Sequence, residues 1–206
     1  MAFSLEGRVI FFATSNLHKF SEARKVLAEF SIAVGMLRVK SLEIQSDSLQ
    51  EIAEASVKDA FGKCHLPIIV EDAGLFVEAL NGFPGPYAAY VYKTVGNKGL
   101  LRVMKSIENR RARFESAVAY LSPRQRSPLC FKGEVLGEIT KEERHGDGEA
   151  GFGFDPVFKP LAGRKTFAEM TIVEKNVFSH RAMALRRFAE WYRSLSTSYK
   201  RNKQKQ

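Results

Sequence analysis

The sequence predicts an α/β protein in which helices flank a mixed central sheet and two lobes enclose a cleft. In the first half of the chain, short apolar runs alternate with stretches whose apolar residues recur every three to four positions, as strands and helices do around a sheet. In the middle, residues 112–121 and 129–139 are both strand-like and close enough along the chain to pair as a hairpin. This hairpin suggests a second lobe, and a cleft between lobes is a common place for a ligand site.

The chain has 206 residues, enough for one domain that buries about 70% of its unfolded surface. We expect a single domain with two lobes over residues 1–195 and a disordered basic tail over residues 196–206. No apolar run approaches the roughly 20 residues that span a bilayer, and the first residues lack the basic start and long apolar core of a secretory signal. These features predict a cytoplasmic protein with no membrane partner.

The elements of the first half are predicted in order from strand-like runs and helical periodicity. Val9–Ala13 is the first predicted strand, Val34–Val39 the second and Ile68–Val70 the third. Ser48, followed three residues later by Glu51, forms a capping box that should begin the second helix. The two helices are identified by their apolar stripes, namely Phe20, Ala23, Val26, Leu27 and Phe30 in the first and Leu49, Ile52, Ala53, Val57, Ala60, Phe61 and Cys64 in the second.

The second half combines irregular segments with two predicted helices. Asn81–Pro86 holds two prolines and two glycines, a density that argues against any regular element there. Lys98–Ile107 is predicted to be helical, and Gly146–Gly153 to be a glycine-rich loop. The last helix is predicted over Ser179–Leu195, with the Ser179 side chain as its N-cap.

The charge balance suggests an anionic ligand without deciding its size. The formal net charge is +9, and five of these positive charges belong to residues 193–206, which contain no acid. The smaller excess on the body suits a polyanionic small molecule as well as a nucleic acid. A non-enzymatic nucleic-acid binder, suggested by Arg110, Arg111 and Arg113, therefore stays an alternative. The two cysteines, Cys64 and Cys130, have no metal-like spacing and are expected to be structural.

A pair of acids, Glu71 and Asp72, directly follows the apolar run of the third strand, and Gly74 comes two residues later. Buried charges are costly unless they are paired or bound to a metal. We expect the strand to end here in a glycine-containing loop, a position where α/β proteins hold metals and phosphates. Glu43, after the second strand, could approach the same cleft. The alternative for all three acids is simple solvation at the surface.

The segment from Thr14 to Lys19, TSNLHK, joins the first strand to the first helix. Backbone N–H groups at a helix N-terminus favour anions, Thr14 and Asn16 add short polar side chains, and Lys19 adds a cation within one turn. These features predict a phosphate cradle. The segment lacks the glycines of a Walker-type loop, and an ordinary helix cap beside a surface lysine is the alternative.

The segment GFGFDP, Gly151–Pro156, offers ring faces and an acceptor. Its glycines allow a close approach of the backbone to a ligand, and a nucleobase could stack on Phe152 or Phe154. Asp155 supplies an acceptor oxygen. The alternative is a β-turn with its rings in the core, which we expect for one of the two phenylalanines.

The segment EKNVFSHR, residues 174–181, supplies three donors around a helix start: Lys175, His180 and Arg181. Donors that converge at such a position suit a polar ligand, although a single histidine there would more often be structural. Together with the other segments, they form an inventory of phosphate binders, metal ligands, a stacking ring and directional donors. That inventory fits a nucleoside triphosphate.

The blocks TSNLHKFSE, VEDAGLFVEALNGFPGPYAAYV, GFGFDPVF and TFAEMTIVEKNVFSHRAMAL occur in this order between residues 14 and 185. In sequence and order they resemble the inosine triphosphate pyrophosphatase, or Ham1-like, family. The resemblance implies a two-lobed mixed α/β fold, a homodimer, and Mg²⁺-dependent hydrolysis of ITP, dITP and XTP to the monophosphate and pyrophosphate. It implies a nucleotide as the partner and no specific nucleic acid. A Maf-like pyrophosphatase acting on pyrimidine or modified nucleotides is the alternative enzyme.

The resemblance also implies roles for individual residues. Asp72 would accept the proton of the attacking water, and Glu43 and Asp72 would bind the metal. Ala73 stands where the family often has Ser, and Phe154 where it often has Tyr or Trp, so one substrate hydrogen bond and one polar handle would be missing. The implied substrate-binding set comprises Thr14, Ser15, Asn16, Lys19, Ala73, Phe152, Gly153, Phe154, Asp155, Lys175, His180 and Arg181.

Overall fold

The computed structural model describes residues 9–146 and 151–203. In the first half, three strands alternate with two helices, as the periodicity predicts. They are β1 (Val9–Ala13), α1 (Leu17–Ala28), β2 (Ala33–Leu37), α2 (Leu49–Cys64) and β3 (Ile68–Val77). Strand β1 lies between β2 and β3 and is parallel to both. The carboxyl ends of β1 and β2 therefore open toward the same edge of the sheet.

The described residues form one seven-stranded mixed sheet, which confirms the predicted fold class. The predicted hairpin is present as β5 (Arg111–Leu121) and β6 (Leu129–Ile139), and β5 pairs antiparallel with β3. Strand β7 (Phe158–Pro160) extends the sheet beyond β6, while the two-residue strand β4 (Pro84–Gly85) pairs with the far end of β3. The strand order is β2-β1-β3-β5-β6-β7.

Strand β3 does not end at Val70, so the prediction of a loop at Glu71–Gly74 is wrong. All ten residues of β3 are in register with β5, from Ile68 opposite Leu121 to Val77 opposite Ala112. Gly74 serves strand packing instead, because a Cβ there would lie 2.6 Å from the carbonyl oxygen of Gly85 on β4. Pairing of Leu75 with Gly85 and of Phe76 with Pro84 forms a short strand inside the proline- and glycine-rich segment, which was predicted to be irregular.

Helices of the second half differ in extent from their predictions. Helix α4 (Gly96–Val103) is displaced from the predicted 98–107, and α3 (Ala88–Thr94) and α5 (Ile172–Asn176) were not predicted. The Ser179 hydroxyl accepts a hydrogen bond from the Ala182 N–H at 3.2 Å, as expected of an N-cap. The last helix, α6 (His180–Lys203), continues past Leu195, so the first part of the expected disordered tail is helical. Residues 147–150 of the predicted glycine-rich loop and the final residues 204–206 lie outside the described residues.

Three apolar clusters cover the sheet. Helices α1 and α6 pack on one face, where Leu27 and Phe188 meet Val118 of β5. Helix α2 covers the other face through residues such as Val57. A third cluster lies at the far end of β3, where Leu75 packs with residues of α4, β5 and β7. Of the helices described, none is both long and apolar enough to cross a membrane.

Candidate active site

A cavity of about 950 Å³ opens where the carboxyl ends of β1 and β2 meet the middle of β3. Its walls come from residues 13–16 after β1, residues 38–43 after β2, residues 70–72 of β3, one face of α2, and Ala89 and Lys93 of α3. A crevice at the carboxyl ends of parallel strands is the usual ligand position in open α/β sheets. The fold therefore places the cavity where a polar ligand is expected.

The predicted site residues separate into two groups. One group lines this cavity, and a second group lies outside the cavity lining. The cavity group comprises Thr14, Ser15, Asn16, Lys19, Glu43 and Asp72. The second group comprises Ala73, Phe152, Gly153, Phe154, Asp155, Lys175, His180 and Arg181.

Asp72 has one carboxylate oxygen without a partner in the described part of the chain, at the edge of the cavity. Its Oδ2 atom is buried and has no hydrogen-bond partner among the described residues. Burial raises the pKa of Asp72 to about 6, although the positive charge of Lys19 acts in the opposite direction. A carboxylate with this pKa is mainly ionised at neutral pH and retains an appreciable proton affinity. It is therefore suited to accept a proton.

Glu71, one residue earlier, is paired with two cations and accepts a hydrogen bond from a hydroxyl group. Lys19 Nζ lies 2.9 Å from its Oε2 atom, and Arg181 Nε and Ser116 Oγ donate to its Oε1 atom at 3.0 and 2.8 Å. Although burial opposes ionisation, the charges of Arg181 and Lys19 hold the pKa of Glu71 well below its usual range. Glu71 is a permanently charged structural partner rather than a proton acceptor.

A chain of buried ion pairs connects the two groups of site residues. Glu22 of α1 accepts from Lys175 Nζ at 2.8 Å and also pairs with Arg181, and Lys175 reaches Asp155 at 2.7 Å. The side chains of Glu22, Lys175, Asp155 and Arg181 are each at most 4% exposed, so every charge depends on its neighbours. In order of contact, the signs alternate along Asp155, Lys175, Glu22, Arg181, Glu71 and Lys19.

Five functional residues were not predicted from the sequence, namely Glu22 in the chain of ion pairs and four cations of the cavity lining. Glu22 is a buried acid beside Ala23 and Val26 on the apolar face of α1, and an acid on such a face needs a cationic partner. An acid among the apolar residues of this helix face was the feature of the sequence that could have identified Glu22. The cations were indistinguishable from solvated surface residues in the sequence. They are Arg38, Lys40, Lys63 and Lys93.

The two phenylalanines of the GFGFDP segment have different environments. Phe154 is 3% exposed and belongs to the core, in edge contact with Tyr92 at 5.6 Å. Phe152 is partly exposed and stacks on His18, with ring centroids 5.1 Å apart. Lys175 Nζ lies 4.8 Å from the Phe152 ring centroid. Of these two phenylalanines, Phe152 is the one whose ring lies beside the buried cations, and Phe154 is the residue for which the core alternative applies.

Two further residues of the second group are held by the backbone and the core. Gly153 has φ +61°, a conformation that side chains disfavour, and its carbonyl accepts from Asn97 Nδ2 at 3.2 Å. His180 is buried and stacks on Phe114 at 4.7 Å. Burial lowers the pKa of His180 well below its usual value, so the imidazole is neutral. Its Nδ1 atom has no partner among the described residues.

The helix start after β1 is capped from within the chain. Asn16 Oδ1 accepts from the N–H groups of His18 and Lys19 at 3.0 and 3.1 Å, and the Asn16 N–H donates to Thr14 Oγ1 at 3.1 Å. These bonds fix the turn and hold Thr14, Ser15 and Asn16 on the cavity wall. Lys19 of the same helix points its ammonium group at Glu71. The turn therefore offers an anion a rigid wall beside a cation.

The two acids that line the cavity suit a hard metal cation whose remaining ligands come from water and a bound phosphate. Glu43 and Asp72 both line the cavity, and no cluster of three or more metal-ligating side chains occurs in the described part of the chain. Mg²⁺ is usually held by one or two carboxylates, with water and phosphate oxygens completing its shell. The unpartnered Oδ2 of Asp72 is a ligand atom of the required kind.

Curated relatives share most of the chain. One is the dITP/XTP pyrophosphatase of Methanopyrus kandleri, 49% identical over 90% of this chain and 96% of the relative. Another is the dITP/XTP pyrophosphatase of Hyperthermus butylicus, 46% identical over 92% of this chain and 97% of the relative.

Solved structures and a family profile agree with these relatives. The Ham1 protein of Staphylococcus aureus superposes with a TM-score of 0.77 at 27% identity, over 91% of this chain and 99% of the other. A HAM1 protein from Coxiella burnetii gives 0.78 at the same identity and coverage. The profile of the Ham1 family matches residues 10–191. By sequence and by fold, the chain belongs to the Ham1 family.

Proposed function

We propose that this chain hydrolyses the non-canonical purine nucleoside triphosphates ITP, dITP and XTP to their monophosphates and pyrophosphate. The single observation that carries the proposal is Asp72, whose carboxylate has a buried oxygen atom, Oδ2, without a hydrogen-bond partner among the described residues, at the edge of a cavity lined with cations. The names of the relatives from Methanopyrus and Hyperthermus support the choice of substrate. The enzyme would act on the free nucleotide pool of the cytoplasm.

Asp72 is the proposed proton acceptor. It orients a water molecule whose oxygen attacks the α-phosphorus of the nucleotide. A bond forms from the water oxygen to the α-phosphorus. The bond from the α-phosphorus to the α–β bridging oxygen breaks, and pyrophosphate leaves with the bridging oxygen. The proton of the water passes to Asp72, whose pKa of about 6 is close to the working pH of such a base.

Mg²⁺ is the proposed cofactor, held by Glu43 and Asp72 together with phosphate oxygens of the substrate. When bound, it would supply positive charge that offsets the charge on the phosphates and the leaving group.

The triphosphate would lie along the wall formed by Thr14, Ser15 and Asn16. Lys19 of α1 and Lys93 of α3 line the same cavity, so the phosphates would have cations from two helices near them. Hydrogen bonds to charged groups contribute about 1.5–3 kcal/mol each, more than neutral ones. Cations from both helices therefore favour a triphosphate over a ligand with fewer negative charges.

The base would bind at the Phe152 ring, close to Lys175 and Arg181. Hypoxanthine and xanthine carry an oxygen acceptor at the 6-position, whereas adenine carries an amino donor there. Lys175 and Arg181 are held by buried acids, and their positive charge near that edge would favour an oxygen acceptor over an amino donor. Ala73, Gly153, Phe154, Asp155 and His180 would complete this part of the site by shaping and holding it.

Product analysis tests the proposal directly. Incubation with dITP and Mg²⁺ should give dIMP and pyrophosphate, separated by ion-exchange chromatography. Orthophosphate with dIDP would contradict it. A nucleotide panel that showed faster turnover of pyrimidine triphosphates would favour the Maf-like alternative. Tight DNA binding at moderate salt by protein lacking residues 193–206, without hydrolysis, would favour the nucleic-acid binder.

We further propose that the protein is a homodimer. Its surface carries three tyrosines of the segment before and within α3, with exposed fractions of 42% for Tyr87, 69% for Tyr90 and 42% for Tyr92. Aromatic side chains are enriched at protein interfaces, so this patch is a suitable contact surface. Light scattering after size exclusion should give twice the chain mass, and Tyr90→Glu should shift the mass toward that of one chain.

A further inference from the structure

The loop between β2 and α2, residues 38–48, carries Glu43 but contains no helix or strand. Its backbone N–H and C=O groups are therefore not held by the hydrogen bonds of a helix or a sheet. Leu42, directly before Glu43, has a side chain that is 59% exposed, so apolar packing does not hold this point of the loop either. A carboxylate on such a segment can serve a metal only if something else fixes its backbone, because ordering a residue on binding is costly.

Two side chains of α2 hold Leu42 by both of its backbone groups. The Leu42 N–H donates to Asp59 Oδ2 at 2.8 Å, and the Leu42 carbonyl accepts from Ser56 Oγ at 2.9 Å. That carbonyl and the N–H of Glu43 belong to one planar peptide group. Ser56 therefore sets the orientation of the peptide plane from which Glu43 extends.

A third contact strengthens this attachment. Lys63 Nζ donates to the carbonyl of Lys40 at 2.7 Å and to Asp59 Oδ2 at 2.6 Å. Ser56, Asp59 and Lys63 are spaced three and four residues apart, which places them on one face of α2. The hydrogen bonds from Lys63 and from the Leu42 N–H lower the pKa of Asp59, so it stays an acceptor at neutral pH.

We infer that Ser56 and Asp59 are positioning residues that hold Glu43 ready to bind the metal ion. Both line the same cavity as Glu43 and Asp72. The Asp59 side chain is 30% exposed, so its removal should free the loop without unfolding the protein. The inference rests on the metal role given to Glu43 under the proposed function.

The test combines a structural and a binding measurement on the full chain. Ser56→Ala and Asp59→Ala remove the two contacts, and Glu54→Ala is the matched control, because Glu54 lies on the same helix and accepts from Gln50 within it. Amide hydrogen exchange at Leu42, followed by NMR, reports how well the hydrogen bond to Asp59 protects the Leu42 N–H. Binding of Mn²⁺ alone, followed by electron paramagnetic resonance, reports the metal site. Glu43→Gln shows how much of that binding depends on Glu43.

We expect faster exchange at Leu42 in Asp59→Ala, with the control unchanged. We expect Mn²⁺ to bind about tenfold more weakly in Ser56→Ala and Asp59→Ala, because the loop must then be ordered on binding. When either change is combined with Glu43→Gln, Mn²⁺ affinity should not fall below that of Glu43→Gln alone. Wild-type Mn²⁺ affinity or unaltered exchange in Asp59→Ala would overturn the positioning role. Wild-type affinity in Glu43→Gln would instead overturn the metal role on which it rests.

Discussion

Glu71 and Asp72 are neighbours on β3, yet their side chains lie on opposite faces of the sheet. The Glu71 carboxylate pairs with Arg181 of α6 and Lys19 of α1, which pack on one face. The Asp72 side chain lies on the α2 face, at the cavity, and its Oδ2 atom has no partner among the described residues. This separation follows from the alternation of side chains along a strand. Two adjacent acids thus acquire opposite protonation behaviour, and only Asp72 is suited to accept a proton.

Asp72→Asn should remove the proposed base and leave the fold intact. A positioned general base contributes about 10²–10⁴ in rate, so turnover of dITP should fall by at least that range. Pyrophosphate release measured with saturating dITP and Mg²⁺ checks this. Glu108→Gln, which neutralises an exposed acid elsewhere, should retain normal turnover. Turnover by Asp72→Asn within twofold of wild type would remove Asp72 from the mechanism.

The stability of the same variant relative to wild type should increase as the pH rises. The folded pKa of Asp72, about 6, is above the ordinary 3.8, so the folded state favours the protonated acid. That contribution is fully present below about pH 3.8 and is lost as the pH rises through 6. Wild type therefore loses up to about 3 kcal/mol that the neutral asparagine retains. Urea unfolding with a chelator should show the advantage of Asp72→Asn growing from pH 4 to pH 7. An advantage that is constant across this range would contradict the raised pKa.

Elements that depend on a local sequence pattern could be predicted from the sequence. Features that depend on contacts between distant parts of the chain could not. Periodicity located β1, α1 and α2, and the β5–β6 hairpin was visible as two strand-like runs. Two acids and a glycine after Val70 look like a loop, and only pairing with β5, some 40 residues later along the chain, continues β3 as a strand. Glu22 was missed for a similar reason, because its partners Lys175 and Arg181 are 153 and 159 residues away in sequence.

Glu22→Ala should destabilise the protein strongly. It would leave Lys175 and Arg181 buried without one of their acids, and breaking a buried ion pair costs about 3–5 kcal/mol. Glu29→Ala, at the C-cap of the same helix, is the matched control, since Glu29 pairs with Arg186 near the surface and such pairs contribute about 0.2–1 kcal/mol. Urea unfolding free energies of both variants test the difference. Equal, small losses would mean that the buried chain of ion pairs does not stabilise the fold.

Phe152→Ala and Phe154→Ala should have opposite consequences. Phe152 is partly exposed beside the cations, so its loss should lower kcat/KM for dITP with little change in thermal stability; base stacking contributes about 1–3 kcal/mol. Phe154 is in the core, and its truncation should cost about 3–5 kcal/mol of unfolding free energy. Thermal melts and steady-state kinetics on both variants separate the two roles. A destabilised Phe152→Ala with normal kinetics would place Phe152 in the core instead.

Lys93 provides the last prediction, because it tests whether α3 forms the second wall of the phosphate site. Lys93 and Ala89 are one turn apart and both line the cavity. A charged hydrogen bond to phosphate contributes about 1.5–3 kcal/mol, so Lys93→Ala should reduce kcat/KM for dITP by roughly 10- to 100-fold. Lys98→Ala, an exposed lysine of α4 outside the cavity, should change it little. The loss should also shrink as salt is added, since added ions screen the charge that Lys93 supplies. Equal kinetics of the two variants at low salt would show that the triphosphate does not contact α3.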